Sequence, residues 1–155
     1  MNTLIRPALL SDIPGILTQM QEFYAGERIV YEPRHAEVAL TELIRKRNLG
    51  VALIVLVDGR PAGYCIVTFG FSLEFRGRFA LLDELYIREE CRGEGLGGRC
   101  LTVVENLCRS DGIRALRLEV ETANGRARGF YRRVGFQEHD RRLMTKWIRL
   151  TEGDA

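Results

Sequence analysis

Val51 to Val57 is a nearly uninterrupted apolar run, and Asp58-Gly59-Arg60-Pro61 follows it directly. A strand that is apolar at successive positions is one covered on both faces, and Asp-Gly is a favoured two-residue turn between antiparallel strands. This pair of features predicts a hairpin inside a sheet buried on both sides, with the returning strand from about Ala62 to Phe71. Ser72 to Gly77 is polar and reverses the chain again, so Phe79 to Ile87 becomes a third antiparallel strand.

The flanking segments supply what covers that sheet. Asn2 to Arg6 reads as a short strand that Pro7 ends by removing a ladder donor. Ser11 or Asp12 is expected to cap a helix in which Ile13, Ile16, Leu17, Met20, Phe23 and Tyr24 form one apolar stripe. A second helix reads from about His35 to Arg47, with Ala25 to Pro33 as the joining loop. After the three strands the period changes: Leu96, Cys100, Val103, Val104 and Leu107 mark a helix from about Gly95 to Ser110. Arg114 to Glu121 alternates as a strand, Gly125 to Arg133 reads as a helix, and short strands are expected after Gly135-Phe136 and from about Leu143 to Leu150. A helical crossover between the strands ending at Ile87 and starting at Arg114 makes that pair parallel. The predicted fold is mixed α/β: one mostly antiparallel sheet of about six to seven strands with a single parallel pair, flanked by about four helices. One domain over residues 1–150 with a frayed tail at 151–155 fits a chain of 155 residues.

A formal net charge of +2 is too small for the field of a general nucleic-acid binder. The sequence has no apolar run of membrane-spanning length and no secretory leader pattern, so a cytoplasmic location is expected. Cys65, Cys91, Cys100 and Cys108 lack the paired spacing and accompanying histidines of a zinc site, and no metal is expected. Cys65, Cys100 and Cys108 read as core fillers, leaving Cys91 as the one thiol worth testing for reactivity.

The chain holds 16 glycines, where average usage predicts roughly 11. Their densest cluster is Arg92-Gly93-Glu94-Gly95-Leu96-Gly97-Gly98, at a strand-to-helix junction. Glycines there let backbone N–H groups turn into a concavity, and the helix N-terminus adds favourable potential for an anion. No Lys-Ser or Lys-Thr follows, which excludes a Walker A loop. The three preceding antiparallel strands fit a Rossmann dinucleotide unit poorly.

Taken together, Leu82-Asp83-Glu84-Leu85-Tyr86-Ile87, the segment Arg92 to Gly98, Asn124, Phe130-Tyr131 and Gly135-Phe136 resemble the GNAT superfamily of acetyl-CoA-dependent N-acetyltransferases. Arg6-Pro7-Ala8 with Ser11-Asp12-Ile13 resembles that family's opening. The resemblance implies that backbone groups of Gly93, Glu94, Gly95, Leu96, Gly97 and Gly98 hold the coenzyme pyrophosphate. Arg92 would either reach a phosphate or tie down the loop. Leu85, Tyr86 and Ile87 would run beside the pantetheine arm, with Asn124 and Ala127 nearby, and the parallel strand pair would splay to admit it. Tyr131 aligns with the tyrosine that serves as general acid, a phenol suited to protonating a departing thiolate.

An amine acceptor must lose a proton, and Asp83 and Glu84 are the candidates to take it or to contact the ammonium. As strand neighbours they are expected on opposite faces; the family's polyamine branch favours Asp83, while Glu119 and Glu121 stand in reserve. Tyr24, Glu27, Tyr31 and Glu32 are expected to form the acceptor pocket, with Phe69 to Arg78 as its other wall. The implied activity is acetyl transfer from acetyl-CoA to a primary amine of a small molecule, amino acid, polyamine or peptide, without a covalent enzyme intermediate. Acetylation of a protein N-terminus or lysine, and a non-catalytic coenzyme A-binding module, are the alternatives. A homodimer is expected; nucleic-acid and membrane partners are not.

Overall fold

The computed structural model describes residues 1–149; the expected tail at 151–155 lies outside them. The chain forms two compact units, Met1–Glu121 and a second beginning at Thr122.

The first unit is built on a sheet with strand order β1-β2-β3-β4-β5. Its strands are β1 (Thr3–Pro7), β2 (Gly50–Val57), β3 (Arg60–Ser72), β4 (Gly77–Ile87) and β5 (Leu116–Leu118). The first four pair antiparallel, and β5 pairs parallel to β4. Helices α1 (Ile13–Glu27) and α2 (Pro33–Arg45) lie in sequence between β1 and β2, and α3 (Leu96–Ser110) forms the crossover to β5. The turn at Asp58-Gly59 has both residues at positive φ, 49° and 77°, as a tight hairpin of this twist requires.

The apolar run in β2 divides between two cores. Ala52 and Ile54 join Ile16, Met20, Leu40, Tyr64, Ile66 and Tyr86 on the face covered by α1 and α2. Val55 joins Ala62, Leu96 and Cys100 on the face covered by α3, with Ile5, Leu85, Ile87 and Cys91 packed at its margin. Alternate side chains therefore enter opposite layers, which is why no position in the middle of the strand can be polar. Cys65, Cys100 and Cys108 are buried reduced thiols, and burial pushes Cys100 up to about 12.

Asp12 stands at the N-terminus of α1, but its carboxylate does not cap that helix. It forms a two-pronged pair with the Arg6 guanidinium at 2.7 and 3.0 Å and accepts the Leu9 N–H at 2.7 Å. Arg6 and Asp12 thus pin the strand-to-helix corner, and the arginine holds the Asp12 carboxyl below its ordinary value.

In the second unit, α4 spans Gly125–Arg133. Glu138 accepts hydrogen bonds from both Arg128 and Arg132, which hold its carboxyl down at about 2.

The expectation of six to seven strands is corrected to five among the described residues. Residues 136–149 form no strand, so the short strand after Gly135-Phe136 is absent, and the strand expected at Leu143–Leu150 is absent as far as residue 149. The adjacent pairs Leu143-Met144 and Trp147-Ile148 put apolar residues at both parities, so the segment lacks the clean apolar-polar alternation of a half-buried strand. The strand expected over Arg114 to Glu121 is also shorter, confined to Leu116–Leu118. Among the described residues no helix is long and apolar enough to cross a membrane.

Candidate active site

Strand β4 and the turn after it carry most of the candidate residues. Its register with β5 is Ala80 to Leu116, Leu81 to Arg117 and Leu82 to Leu118. Beyond Leu82 the parallel pairing ends, so Glu84, Leu85, Tyr86 and Ile87 keep β3 on one edge and, among the described residues, have no strand on the other. An edge with free backbone donors and acceptors can pair with an extended chain, and a pantetheine arm carries the amide groups to do so.

On the β3 side the register slips. Ile66 faces Glu84 while Val67 faces Leu82, which leaves Asp83 as the extra residue of a β-bulge. The expectation that Asp83 and Glu84 point to opposite faces is therefore corrected: both line one cavity of about 620 Å3 between the sheet and helices α1 and α2. Strict alternation holds only in an unbroken ladder, and the bulge breaks it between these two residues.

The carboxylates differ in their surroundings. Glu84 is half-buried; the Tyr24 hydroxyl donates to its Oε1, and the Tyr64 hydroxyl donates to Oε2 at 2.7 Å. Burial pushes the Glu84 carboxyl up and the neighbouring Asp83 charge adds to this, while the two phenols oppose it. Asp83 is open to solvent in the cavity wall and has no hydrogen-bonding side chain among the described residues. The surrounding protein nevertheless raises its carboxyl above the ordinary value. Both phenols are raised as well, by burial first and then by Glu84, so they stay protonated donors.

Of the expected acceptor residues, Tyr24, Tyr31 and Glu32 line this cavity and Glu27 does not. Tyr31 is anchored by donating to the Leu17 carbonyl at 3.1 Å, and its ring meets that of Tyr24 edge to face. Of the expected second wall, Phe69 lines the cavity, whereas Glu74 and Arg76 do not. One face of the Phe69 ring is taken by the Arg78 guanidinium, 4.6 Å from its centroid. Reading the sequence missed His35, Glu42 and Thr68, which also line the cavity, and Tyr64, which holds Glu84 from below. Tyr64 is fully buried in a strand that looks merely apolar; only its cross-strand pairing with Tyr86 brings it near Glu84. Among the lining residues there is no lysine or arginine, so the cavity is acidic.

At the other end of β4, a short helical turn at Glu89–Cys91 leads into the glycine segment. Arg92 turns back and donates from Nε to the Ile87 carbonyl at 2.9 Å, which is the loop-tying arrangement. Gly93 and Gly95 have φ of 87° and 72°, and Gly95 is the residue immediately before α3. A non-glycine residue is strained in that region. Leu96 is buried and anchors the segment to the core, while Arg92, Gly93, Glu94 and Gly95 are exposed. The first intrahelical bond runs from Arg99 N–H to the Gly95 carbonyl at 3.1 Å. The N–H groups of Leu96, Gly97 and Gly98 consequently lack helical partners, as at every helix start, and are available to an anion.

Within the second unit, Asn124 Oδ1 accepts the Ala127 N–H at 3.1 Å and so caps α4. The Tyr131 ring packs against Phe130 and Phe136, with centroids 5.1 and 5.6 Å away. Glu119 and Glu121 follow β5, outside any strand, and neither lines the cavity. Among the described residues no group of three His, Cys, Asp or Glu side chains could hold a metal ion.

The profile of the Acetyltransferase (GNAT) family matches residues 17–136 of this chain. Thialysine N-epsilon-acetyltransferase of Bos taurus is 31% identical over 147 residues, covering 87% of this chain and 84% of its own. The L-methionine sulfoximine/L-methionine sulfone acetyltransferase of Pseudomonas aeruginosa is 26% identical over 142 residues, covering 88% and 81%. Among solved structures, an integron cassette protein from the Cole Harbour Salt Marsh metagenome superposes with a TM-score of 0.84 at 31% identity, covering 95% of this chain and 91% of the other. An acetyltransferase from Clostridium acetobutylicum, solved with acetyl-CoA, superposes with a TM-score of 0.80 at 18% identity over 94% of this chain and 96% of its own.

Proposed function

Because this chain belongs to the GNAT family of acetyltransferases, we propose that it transfers the acetyl group of acetyl-CoA to the primary amine of a small cationic acceptor bound in the acidic cavity. One observation carries this reading: two carboxylates, Asp83 and Glu84, share that cavity at the point where β4 parts from β5. The two relatives named for thialysine and for methionine sulfoximine support an acceptor of small size. A family match running from residue 17 to 136 supports one functional domain over residues 1–150, across the division at Glu121.

The residues present fit the coenzyme. The N–H groups opening α3 and the glycine turn before it suit a pyrophosphate, and the free edge at Leu85, Tyr86 and Ile87 suits the pantetheine amides. Arg92 keeps that turn joined to the end of β4. Acetyl-CoA supplies an activated thioester; the chain supplies position and proton management.

At pH 7 an amine with a pKa of 10.4 is free base in only about one molecule in 2,500. Its ammonium enters a cavity of carboxylates, where Glu84 anchors it. Asp83, which no side chain among the described residues hydrogen-bonds, accepts the proton directly or through water. The amine nitrogen then forms the C–N bond as the C–S bond breaks; the second proton it sheds passes to solvent water, and Tyr131, in the role the family resemblance implies, gives a proton to the leaving sulfur. After product release Asp83 returns its proton to solvent and the Tyr131 phenolate regains one from it.

Thiol release measured with acetyl-CoA across a panel of monoamines, diamines, amino acids and short peptides tests this reading. Saturable, amine-dependent release is expected for small amines. Release that never exceeds the amine-free rate for any member of the panel would overturn it.

A further inference from the structure

We propose that Tyr64, together with Tyr24, is a positioning clamp that fixes the Glu84 carboxylate in one orientation for the acceptor ammonium. The proposal rests on the acceptor reading above and adds to it a residue that does not line the cavity. Each carboxylate oxygen has its own phenol: Oε1 receives the Tyr24 hydroxyl and Oε2 the Tyr64 hydroxyl at 2.7 Å. A carboxylate bonded at both oxygens from two different elements, α1 and β3, cannot rotate about its last torsion. Each oxygen still has a lone pair left for a cation, since a carboxylate offers about four acceptor sites.

The clamp is itself held. Tyr64 is fully buried and its ring packs at a tilt against that of Tyr86, with centroids 5.9 Å apart; the Tyr86 hydroxyl donates to Glu22 at 3.0 Å. Tyr24 contacts both Phe23 and Tyr31 edge to face. These aromatic contacts leave neither phenol free to swing away.

The charged and titratable groups around Glu84 make the hydrogen bonds consequential. Asp83 lies beside it on β4, and the same cavity carries Glu32, His35 and Glu42 from the α2 side. Glu42 is paired with Lys46 at 2.7 Å, and Glu32 lies 3.9 Å from His35. No cation reaches Glu84 among the described residues. Donation by the two phenols favours the ionised form of Glu84 and opposes the upward push of burial and the Asp83 charge. Tyr64 is also the cleaner of the two for a test, because its hydroxyl has no access to an acceptor in the cavity.

The experiment combines Tyr64→Phe, Glu84→Gln and the double variant. Carboxyl titration is followed by 13C NMR on glutamate-labelled protein, with the Glu84 signal identified by its loss in Glu84→Gln. In Tyr64→Phe the Glu84 midpoint moves upward, KM for the amine rises about tenfold, and kcat changes much less. In the Glu84→Gln background the same substitution leaves KM unchanged, since the group it positions is gone. An unmoved midpoint, or a KM penalty that persists in full without Glu84, overturns the clamp. A shifted midpoint and lower melting temperature with unaltered KM reduces Tyr64 to a structural residue and also overturns it. Wild-type protein that turns over no amine overturns the acetyltransferase reading and the clamp together, whereas an active wild type with a silent Tyr64→Phe overturns the clamp alone.

Discussion

The two ends of the free β4 edge are built by different means. After Ile87 the site consists of backbone: left-handed glycines, the opening N–H groups of α3 and a carbonyl held by Arg92. Before Leu85 it consists of side chains contributed by α1, the segment around α2, β3 and β4. A backbone site depends on a short local sequence and tolerates drift in everything around it. A side-chain site depends on four distant segments arriving in register. Within the unit Met1–Glu121, the first arrangement suits a ligand shared across a family, and the second suits an acceptor that differs from one relative to the next.

The sharpest way to break this comparison is to damage the backbone end. Gly95→Trp forces a side chain onto a residue at φ 72°, at a conformational cost of about 1–2 kcal/mol, and sets an indole over the first turn of α3. Coenzyme A binding measured calorimetrically should be lost, with the melting temperature no longer raised by the ligand. A normal dissociation constant would show that the seat is elsewhere. Asp83→Asn attacks the other end. Turnover should fall by about 100-fold or more while coenzyme A affinity holds, the size expected for a lost general base. Full activity in that variant would pass the role to Glu84 or water.

Tyr131→Phe should lower kcat by about tenfold with little change in coenzyme affinity. Unaltered turnover would remove Tyr131 as the proton donor. The smallest effect is on stability. Asp83 has a folded-state pKa raised above its ordinary 3.8, so the folded chain binds more protons and loses stability as pH rises through that range. The penalty is absent below about pH 3.8 and complete above the raised value. Asp83→Asn should therefore melt slightly higher than wild type at pH 7, the effect being reduced by the solvent exposure of the side chain, with the gain disappearing on acidification toward pH 3.8. An equal gain at both pH values would mean that the charge of Asp83 is not the cause.

Much of this architecture was legible in the chain itself. The hairpin at Asp58-Gly59 and α4 at Gly125–Arg133 fall where expected, and α3 begins one residue later than expected at Leu96. Periodicity and turn chemistry act over a few residues, so a short window contains them. The expected C-terminal strands are absent among the described residues: Leu143-Met144 and Trp147-Ile148 supply apolar area without the alternation that fixes one strand face. The expectation that the first two helices and their loop supply the acceptor residues holds for Tyr24, Tyr31 and Glu32 as cavity lining and not for Glu27, which is outside the cavity wall.

What the sequence determined by itself is the local set: a covered central hairpin, a parallel crossover and a glycine turn opening a helix. Each follows from side-chain size, polarity and backbone freedom within a few residues. Only the tertiary structure decided that Asp83 and Glu84 look into the same cavity, because a bulge is a mismatch between two strands and exists in neither alone. It alone decided that Glu84 is gripped by Tyr24 and Tyr64, residues 60 and 20 positions away. A carboxylate's orientation and proton affinity are set by what surrounds it in space, and that neighbourhood forms only when the helices close over the sheet.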